Sequence, residues 1–272
     1  MPDTDRPLAL ILRTAGTNCD AEMVRAFELA GARTSLVHLD RLIAEPSILA
    51  DAELIGFPGG FSYGDDIASG RVLAVKVRER LLGELRAAVD RGVPIIGVCN
   101  GFQALVQIGL LPGNGADTNG GPAQTVALAD NANARFIANW VPVSFPESRC
   151  VWTNDLWSDD SRAADVLRLP IAHGEGRFVT ASDDVLKAIE AGGQVAVRYE
   201  ADVNGSEHAI AGICDATGLV FGLMPHPERY AEWTQHPYWT RLDRAMFATP
   251  TPGLKMFVNA VEHVKSGAAV TA

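Results

Sequence analysis

Val93-Pro94-Ile95-Ile96-Gly97-Val98-Cys99-Asn100-Gly101-Phe102-Gln103 is the stretch on which the fold of this chain turns. Val93 to Val98 is a continuous apolar run without polar alternation, the pattern of a strand buried on both faces. Strands of that kind sit in parallel sheets, because the helical crossovers that join them cover both faces. Beyond Cys99 the period changes, and Phe102, Leu105, Val106 and Gly109 recur at helical spacing. A strand therefore gives way to a helix at Cys99. In so sharp a turn the strand and helix approach closely, so the flanking positions must be small, and Gly97 and Gly101 meet that need. The segment reads as a nucleophile elbow with a thiol in place of the usual hydroxyl.

The same alternation continues outward on the N-terminal side. Leu8 to Leu12 reads as a strand followed by the loop Arg13 to Asn18. A helix follows, with Asp20 as its cap, Met23, Phe27 and Ala30 on one face, and Gly31 as its stop. Thr34 to Leu39 and Leu54 to Phe57 read as further strands. Gly70 to Arg91 reads as a long helix with a stripe of Leu81, Leu82, Leu85 and Val89, ended by Gly92. This half is expected to be α/β and doubly wound, a flavodoxin-like open sheet.

On the C-terminal side the character changes. Between about 113 and 170, Gly, Asn and Asp punctuate short strand-like runs at Thr125 to Leu128, Arg135 to Val143 and Cys150 to Thr153, an excursion of strands and loops on the same domain. Then come a helix at Asp183 to Ala191, strands at Gln194 to Tyr199, Ala209 to Cys214 and Leu219 to Met224, and a last helix from Pro252 to Val264. Hairpin signals there predict an antiparallel extension of the sheet. Without an internal repeat or a linker, residues 1 to 272 read as one domain.

Composition agrees with a packed globular chain. Of 272 residues, 47% are hydrophobic and 21% charged, enough apolar material for a large core. The formal net charge of −10 opposes binding to a phosphate backbone, so nucleic acid is not the expected partner. No apolar run approaches the roughly 18 residues of a membrane span, and the polar, acidic start Met1-Pro2-Asp3-Thr4-Asp5-Arg6-Pro7 is unlike a signal peptide. A soluble, cytoplasmic protein is expected. The four cysteines, at 19, 99, 150 and 214, are far apart and form no CxxC pair, so neither a disulfide framework nor a metal site is expected.

Cys99 stands where a helix begins, and there the free backbone N–H groups and the helix dipole favour a thiolate. The N–H of the next residue is placed to meet an oxyanion. A thiol nucleophile needs a base, and of the six histidines His226 fits best. It follows an apolar strand in Met224-Pro225-His226-Pro227-Glu228-Arg229, where Pro227 keeps it out of helical geometry. Glu228, two residues on, projects to the same side and can accept from the ring N–H as the acid of a triad. Of the others, His38 reads as structural, His208 and His263 as solvent-exposed, and His236 as a loop residue without assigned role. His173 lies in a Gly-rich loop, Ala172-His173-Gly174-Glu175-Gly176-Arg177. A second such loop, Phe57 to Asp66, leaves the strand before the elbow and should face it across the crevice at the carboxyl ends of the strands. The chain contains neither GxxxxGK[ST] nor GxGxxG, so no nucleotide site is marked.

A cysteine elbow, a Gly-Gly loop one strand earlier and a late His-x-Glu together resemble the class I glutamine amidotransferases. Pro58-Gly59-Gly60-Phe61-Ser62-Tyr63-Gly64-Asp65, Gly97 to Gln103, Ala172 to Arg177, Asn204-Gly205-Ser206 and Met224 to Arg229, with Gly16-Thr17-Asn18-Cys19-Asp20, narrow the likeness. Nearly the whole chain resembles the glutaminase subunits of phosphoribosylformylglycinamidine synthases. The resemblance implies that Cys99 attacks the side-chain amide of glutamine, with His226 and Glu228 moving the protons. It implies an oxyanion hole at Gly60 and Asn100, and glutamine binding by Gly59, Phe61, Gln103, His173 and Glu175. It further implies that ammonia passes to a large synthetase subunit, which uses ATP and magnesium, with a small bridging subunit in the complex. No cofactor is implied for this chain. One departure is Arg135-Phe136-Ile137-Ala138-Asn139-Trp140, where family members carry a carboxylate and a guanidinium at the positions of Ile137 and Asn139; this bears on partner contacts more than on thiol chemistry.

Cys19 lies in a family-like motif and is read as structural. Two other enzyme readings compete: a glutaminase serving another ammonia acceptor, and a Cys-dependent hydrolase of related fold, for which Gln103 and the Gly60 loop have no purpose. A non-catalytic interaction module is opposed by the intact Cys99, His226 and Glu228.

Overall fold

A computed structural model describes residues 6–113, 117–118, 121–156 and 166–267. The acidic start at 1–5 and parts of the 113–170 excursion, namely 114–116, 119–120 and 157–165, lie outside the described residues.

The chain runs β1 (Leu8–Arg13), α1 (Asp20–Leu29), β2 (Arg33–His38), α2 (Leu39–Ala44), β3 (Leu54–Phe57), α3 (Arg71–Asp90), β4 (Ile95–Val98) and α4 (Asn100–Gln107). Two-residue strands β5 (Asp117–Thr118) and β6 (Gly121–Pro122) follow, then β7 (Val126–Asp130), β8 (Ile137–Ser144), β9 (Arg168–His173) and β10 (Glu175–Thr180). The last elements are α5 (Asp183–Ala191), β11 (Val195–Tyr199), β12 (Ile210–Cys214), β13 (Val220–Leu223) and α6 (Pro252–Ser266). Nine strands make one sheet in the order β2-β1-β3-β4-β13-β12-β11-β8-β9. The first five are mutually parallel and the rest join antiparallel. The 2-1-3-4-5 order of the parallel part is that of the flavodoxin-like fold, and the expected antiparallel extension follows it. β7 and β10 form a separate antiparallel pair.

Two glycines show that helices cover both faces. A side chain on Gly56 would meet Met23 and Phe27 of α1, whereas one on Gly97 would strike Leu105 of α4. Gly97 is in register with Phe57, the neighbour of Gly56, and successive residues of a strand face opposite ways. So α1 lies on one face and α4 on the other. This is why Ile95, Ile96 and Val98 are wholly buried and the run needs no polar alternation. On the α1 side, Phe27 packs edge-on against Phe257 of α6 and against Trp152.

Several expectations change. Val151–Thr153 is a 3-10 turn and not part of a strand, because Trp152 turns into the core and donates from Nε1 to the Leu219 carbonyl at 2.9 Å. Cys19, not Asp20, is the cap residue of α1; the Asp20 carboxylate pairs with Arg13 instead, at 3.3 Å. His38 ends β2 and caps α2, a helix the apolar pattern did not reveal, by accepting from the Asp40 N–H. The Gly-rich loop at His173 is a tight turn at Gly174 between β9 and β10. His208 is exposed as expected, but His263 is half-buried and His236 fully buried.

Candidate active site

Cys99 occupies the single position between the last residue of β4 and the first of α4. Its backbone is at φ 51 and ψ −106, a positive-φ conformation that a side chain tolerates only when its surroundings enforce it. They do. The Cys99 N–H donates to the Leu223 carbonyl at 2.8 Å, continuing the sheet, and its carbonyl accepts from the Gln103 N–H at 3.0 Å, starting the helix. A Cβ on Gly101 would fall 2.0 Å from the Phe57 carbonyl oxygen, so only glycine permits this approach. Asn100, Gly101 and Phe102 therefore present first-turn N–H groups without intrahelical acceptors beside the thiol.

The Gly59-Gly60 loop reaches the elbow because it is zipped to the loop after β1. Gly59 accepts from the N–H groups of Asn18 and Cys19, Phe61 donates to Gly16, Tyr63 donates to Ala15, and Thr17 bridges Gly60. A Cβ on Gly59 would lie 2.7 Å from His226 Cε1, 3.2 Å from Cys19 Sγ and 3.4 Å from Cys99 Cβ. Three reactive side chains thus converge over one residue that has none.

His226 arrives from the far side of the sheet switch, just beyond β13. Its N–H donates to the Pro170 carbonyl at 2.8 Å, and Nδ1 lies 2.6 Å from Glu228 Oε1. Both side chains are sealed from solvent, and Nε2 is buried without a hydrogen-bond partner. Burial by itself lowers the pKa of His226; the Glu228 charge and hydrogen bond, with the nearby Cys19 and Cys99 sulfurs, outweigh it and hold the pKa well above the ordinary value. The anticipated Cys, His and Glu are therefore assembled, with the remaining ring nitrogen free to exchange a proton.

Asn100 ties the pocket wall together. Its Nδ2 donates to Asp65 Oδ1 and to Gln103 Oε1, both at 3.0 Å, while its Oδ1 accepts from the Ser62 N–H. Gln103 Nε2 donates to the Glu175 carbonyl, and Glu175 Oε2 accepts from the Ser69 N–H at 3.2 Å. Gln103 and Glu175 are thus already joined to each other across the pocket wall. His173 Nδ1 is 3.0 Å from Asn131 Oδ1, and its Nε2 is buried and unpartnered. Burial, reinforced by His226, pulls the pKa of His173 down to about 4, so this ring is neutral near pH 7. Phe61 stacks on Phe136 at the mouth, beside a cleft of about 360 Å³ lined by Asp65, Ser69, Arg135 and Glu175. A roomier cavity of about 660 Å³, lined by Glu53, Asp90, Arg91 and His263, holds none of these groups. The departing residues Ile137 and Asn139 lie on β8. Ile137 packs on the core beside β9, and Asn139 bonds its own strand at the Trp140 N–H.

Cys19 is the residue whose place the sequence did not disclose. It is buried, its sulfur is 3.9 Å from His226 Nδ1, and the Arg229 guanidinium donates to it at 2.9 Å. The available signal was the Asn18-Cys19 motif itself, together with Arg229 beside the His-x-Glu. Cys19, His226 and Glu228 bring donor atoms within 4.8 Å of one another. The sulfur already accepts from a cation and Nδ1 is already bonded to the carboxylate, so this set suits a proton rather than a metal ion.

Comparison with known proteins places these features in context. Residues 6–264 match the family model described as a CobB/CobQ-like glutamine amidotransferase domain. The phosphoribosylformylglycinamidine synthase subunit PurQ of Dehalococcoides mccartyi is 42% identical over 260 residues, covering 93% of this chain and 96% of that protein. The same subunit from Thermotoga maritima is 40% identical over 227 residues, covering 84% and 90%. Among solved structures, a chain of PurLQS from Thermotoga maritima superposes with a TM-score of 0.71 at 34% identity, covering 95% of this chain and 99% of that one. A protein of Thermoplasma acidophilum described as a GMP synthase subunit, at 14% identity and a TM-score of 0.55 over 96% of each chain, shares the fold.

Proposed function

Because the chain belongs to the glutamine amidotransferases, among the glutaminase subunits of phosphoribosylformylglycinamidine synthase, we propose that Cys99, His226 and Glu228 carry out its glutaminase reaction. The chain hydrolyses the side-chain amide of glutamine and delivers ammonia to a large synthetase subunit. That subunit converts formylglycinamide ribonucleotide to formylglycinamidine ribonucleotide, in a complex that also contains a small subunit. The supporting observation is the convergence of the Cys99 elbow and the buried His226–Glu228 pair over Gly59.

In this reading His226 Nε2 takes the Cys99 proton and sulfur forms a bond to the amide carbon. The oxyanion that develops meets the N–H groups of Asn100 and Gly60, fixed in place before the reaction begins. Collapse breaks the carbon–nitrogen bond, and the proton held on Nε2 goes to the leaving nitrogen, releasing ammonia. Water then attacks the glutamyl thioester, giving its proton to Nε2, and sulfur leaves as glutamate forms. Glu228 holds the Nδ1 proton throughout. Gly59, Phe61, Gln103, His173 and Glu175 shape the glutamine pocket, Gln103 and Glu175 as a joined wall and His173 as a neutral ring. ATP and magnesium belong to the synthetase step. We assign the chain one domain, and place it in the cytoplasm on the strength of four unpaired cysteines. Among the described residues no helix is long and apolar enough to cross a membrane.

The test is peptide mapping after exposure to a glutamine-shaped electrophile, with and without the synthetase. A single adduct on Cys99, blocked by glutamine, is expected. An adduct on Cys19, or equal labelling of all four cysteines, would remove Cys99 from its role. In the complex, Cys99→Ala should lose glutamine-driven synthesis and keep ammonia-driven synthesis.

A further inference from the structure

Cys19 takes no part in the steps above, yet its sulfur sits against the Nδ1 edge of the base. It is immobilised from several sides. Its S–H points at Asn18 Oδ1, 3.0 Å away, Arg229 donates to Sγ, and the Cys19 N–H donates to the Gly59 carbonyl at 3.2 Å. Arg229 also reaches Glu22 of α1 at 3.9 Å, so the guanidinium links the loop of the base to the helix that Cys19 begins. A structural cysteine in a core needs only apolar neighbours. This one has a guanidinium, an amide oxygen and an imidazole.

We propose that Cys19 is a positioning residue for the proposed base. Its sulfur, pinned by Arg229, closes the Nδ1 edge of His226, so that the ring keeps that edge toward Glu228 and presents Nε2 to Cys99. An imidazole held only by one carboxylate retains freedom to swing about that bond, and a small misplacement of a reacting group costs rate steeply. Gly59 leaves the space in which ring and sulfur touch, and a larger residue there would separate them. The groups facing His226 are Glu228 and Arg229 from its own loop, Cys19 from the loop before α1, Cys99 from the end of β4 and His173 from the end of β9.

The inference rests on His226 acting as the base for Cys99, and the experiment separates the two. In the complex with the synthetase, Cys19→Ala should lower kcat for glutamine on the order of ten- to a hundredfold. KM and ammonia-driven synthesis should stay unchanged, and the acid limb of the kcat/KM profile should move to lower pH. Cys19→Ser, which still accepts from Arg229, should recover most of kcat. If Cys19→Ala does not fold, Arg229→Met carries the test: kcat for glutamine should fall while KM and ammonia-driven synthesis stay unchanged. Normal kcat with an unmoved limb, or an equal loss of the ammonia-driven reaction, overturns the proposal. Cys99→Ala run in parallel isolates the other failure: glutamine turnover that survives it removes the Cys99 reading itself.

Discussion

His226 Nδ1 and Glu228 Oε1 are 2.6 Å apart in a pocket sealed from water, and among the described residues no other carboxylate bonds that ring. Glu228→Gln keeps the shape and removes the charge. It should lower kcat for glutamine roughly 10²- to 10⁴-fold while leaving KM nearly unchanged, because in the proposed triad the acid's part is to orient and stabilise the protonated ring and not to bind substrate. Steady-state kinetics in the complex decide it; a rise in KM alone would assign Glu228 to substrate binding.

The same pair has a stability signature. The folded-state pKa of His226 is raised, so the contribution of the pair is fully present below about 6.5, the ordinary value of histidine, and is lost as pH rises through the folded value. His173 acts with the opposite sign. Its folded pKa of about 4 means that the native state resists protonation, so stability falls as pH drops from about 6.5 toward 4. The loss from this residue is on the order of 3 kcal/mol by pH 4. Denaturant midpoints between pH 4 and 7 should therefore decline less steeply in His173→Gln than in the wild-type chain. Parallel slopes would mean that another group governs acid sensitivity.

Glycines at two sites predict opposite outcomes. Gly101→Ala would put a methyl group 2.0 Å from the Phe57 carbonyl oxygen, a collision with backbone that cannot be relieved by a rotamer change. Failure to fold, or a loss of at least about 3 kcal/mol, is expected. Gly83, on the exposed side of α3, meets nothing within 4 Å. Gly83→Ala should stabilise by roughly 0.5–1 kcal/mol, since alanine favours helix and loses less entropy on folding. Thermal melts of the two variants test both statements.

What was legible follows from what is local. The elbow, the Gly59-Gly60 loop and His226-Pro227-Glu228 each declare themselves within a few residues, since close approach demands glycine and proline keeps His226 out of helical geometry; the expected extended segment is in fact a 3-10 turn, Pro227–Tyr230, and it is this turn that brings Glu228 back to the ring. The inner parallel strands β3, β4 and β13 were equally plain, because burial on both faces leaves an unbroken apolar run. The surroundings of Cys19 were not legible because its neighbours come from elsewhere: Gly59 is 40 residues away, and Arg229 is 210 away. Its meaning depends on two loops being zipped at Gly59, a pairing without local signature. The strand character around Gly174 was hidden by glycines that usually mark loops, and Trp152 was placed by a distant aromatic cluster rather than by β propensity.

Asn100 offers the sharpest test of how the pocket is held. Its side chain bonds Ser62, Asp65 and Gln103, while its backbone N–H is the one proposed for the oxyanion, so Asn100→Ala separates frame from chemistry. The substitution leaves the buried Ser62 N–H and Gln103 Oε1 each short of a partner, a cost of about 1–3 kcal/mol for each group left unpaired. It also strips a donor from Asp65, whose pKa burial already raises against the hydrogen bonds of Gly70, Ser69 and Asn100, with Glu175 adding to the rise. The Gly60 loop then loses its tie to α4, and kcat should fall about tenfold even though the oxyanion donor at residue 100 survives. Asn100→Asp should be worse at neutral pH, because a second carboxylate would stand against Asp65 where a donor stood, and should improve as pH falls and the pair takes up a proton. Melting temperature and glutamine turnover measured together distinguish the cases: a stability loss with full turnover would show that the loop holds its place without Asn100, and an Asn100→Asp variant no worse than Asn100→Ala would show that Asp65 is not the partner that matters.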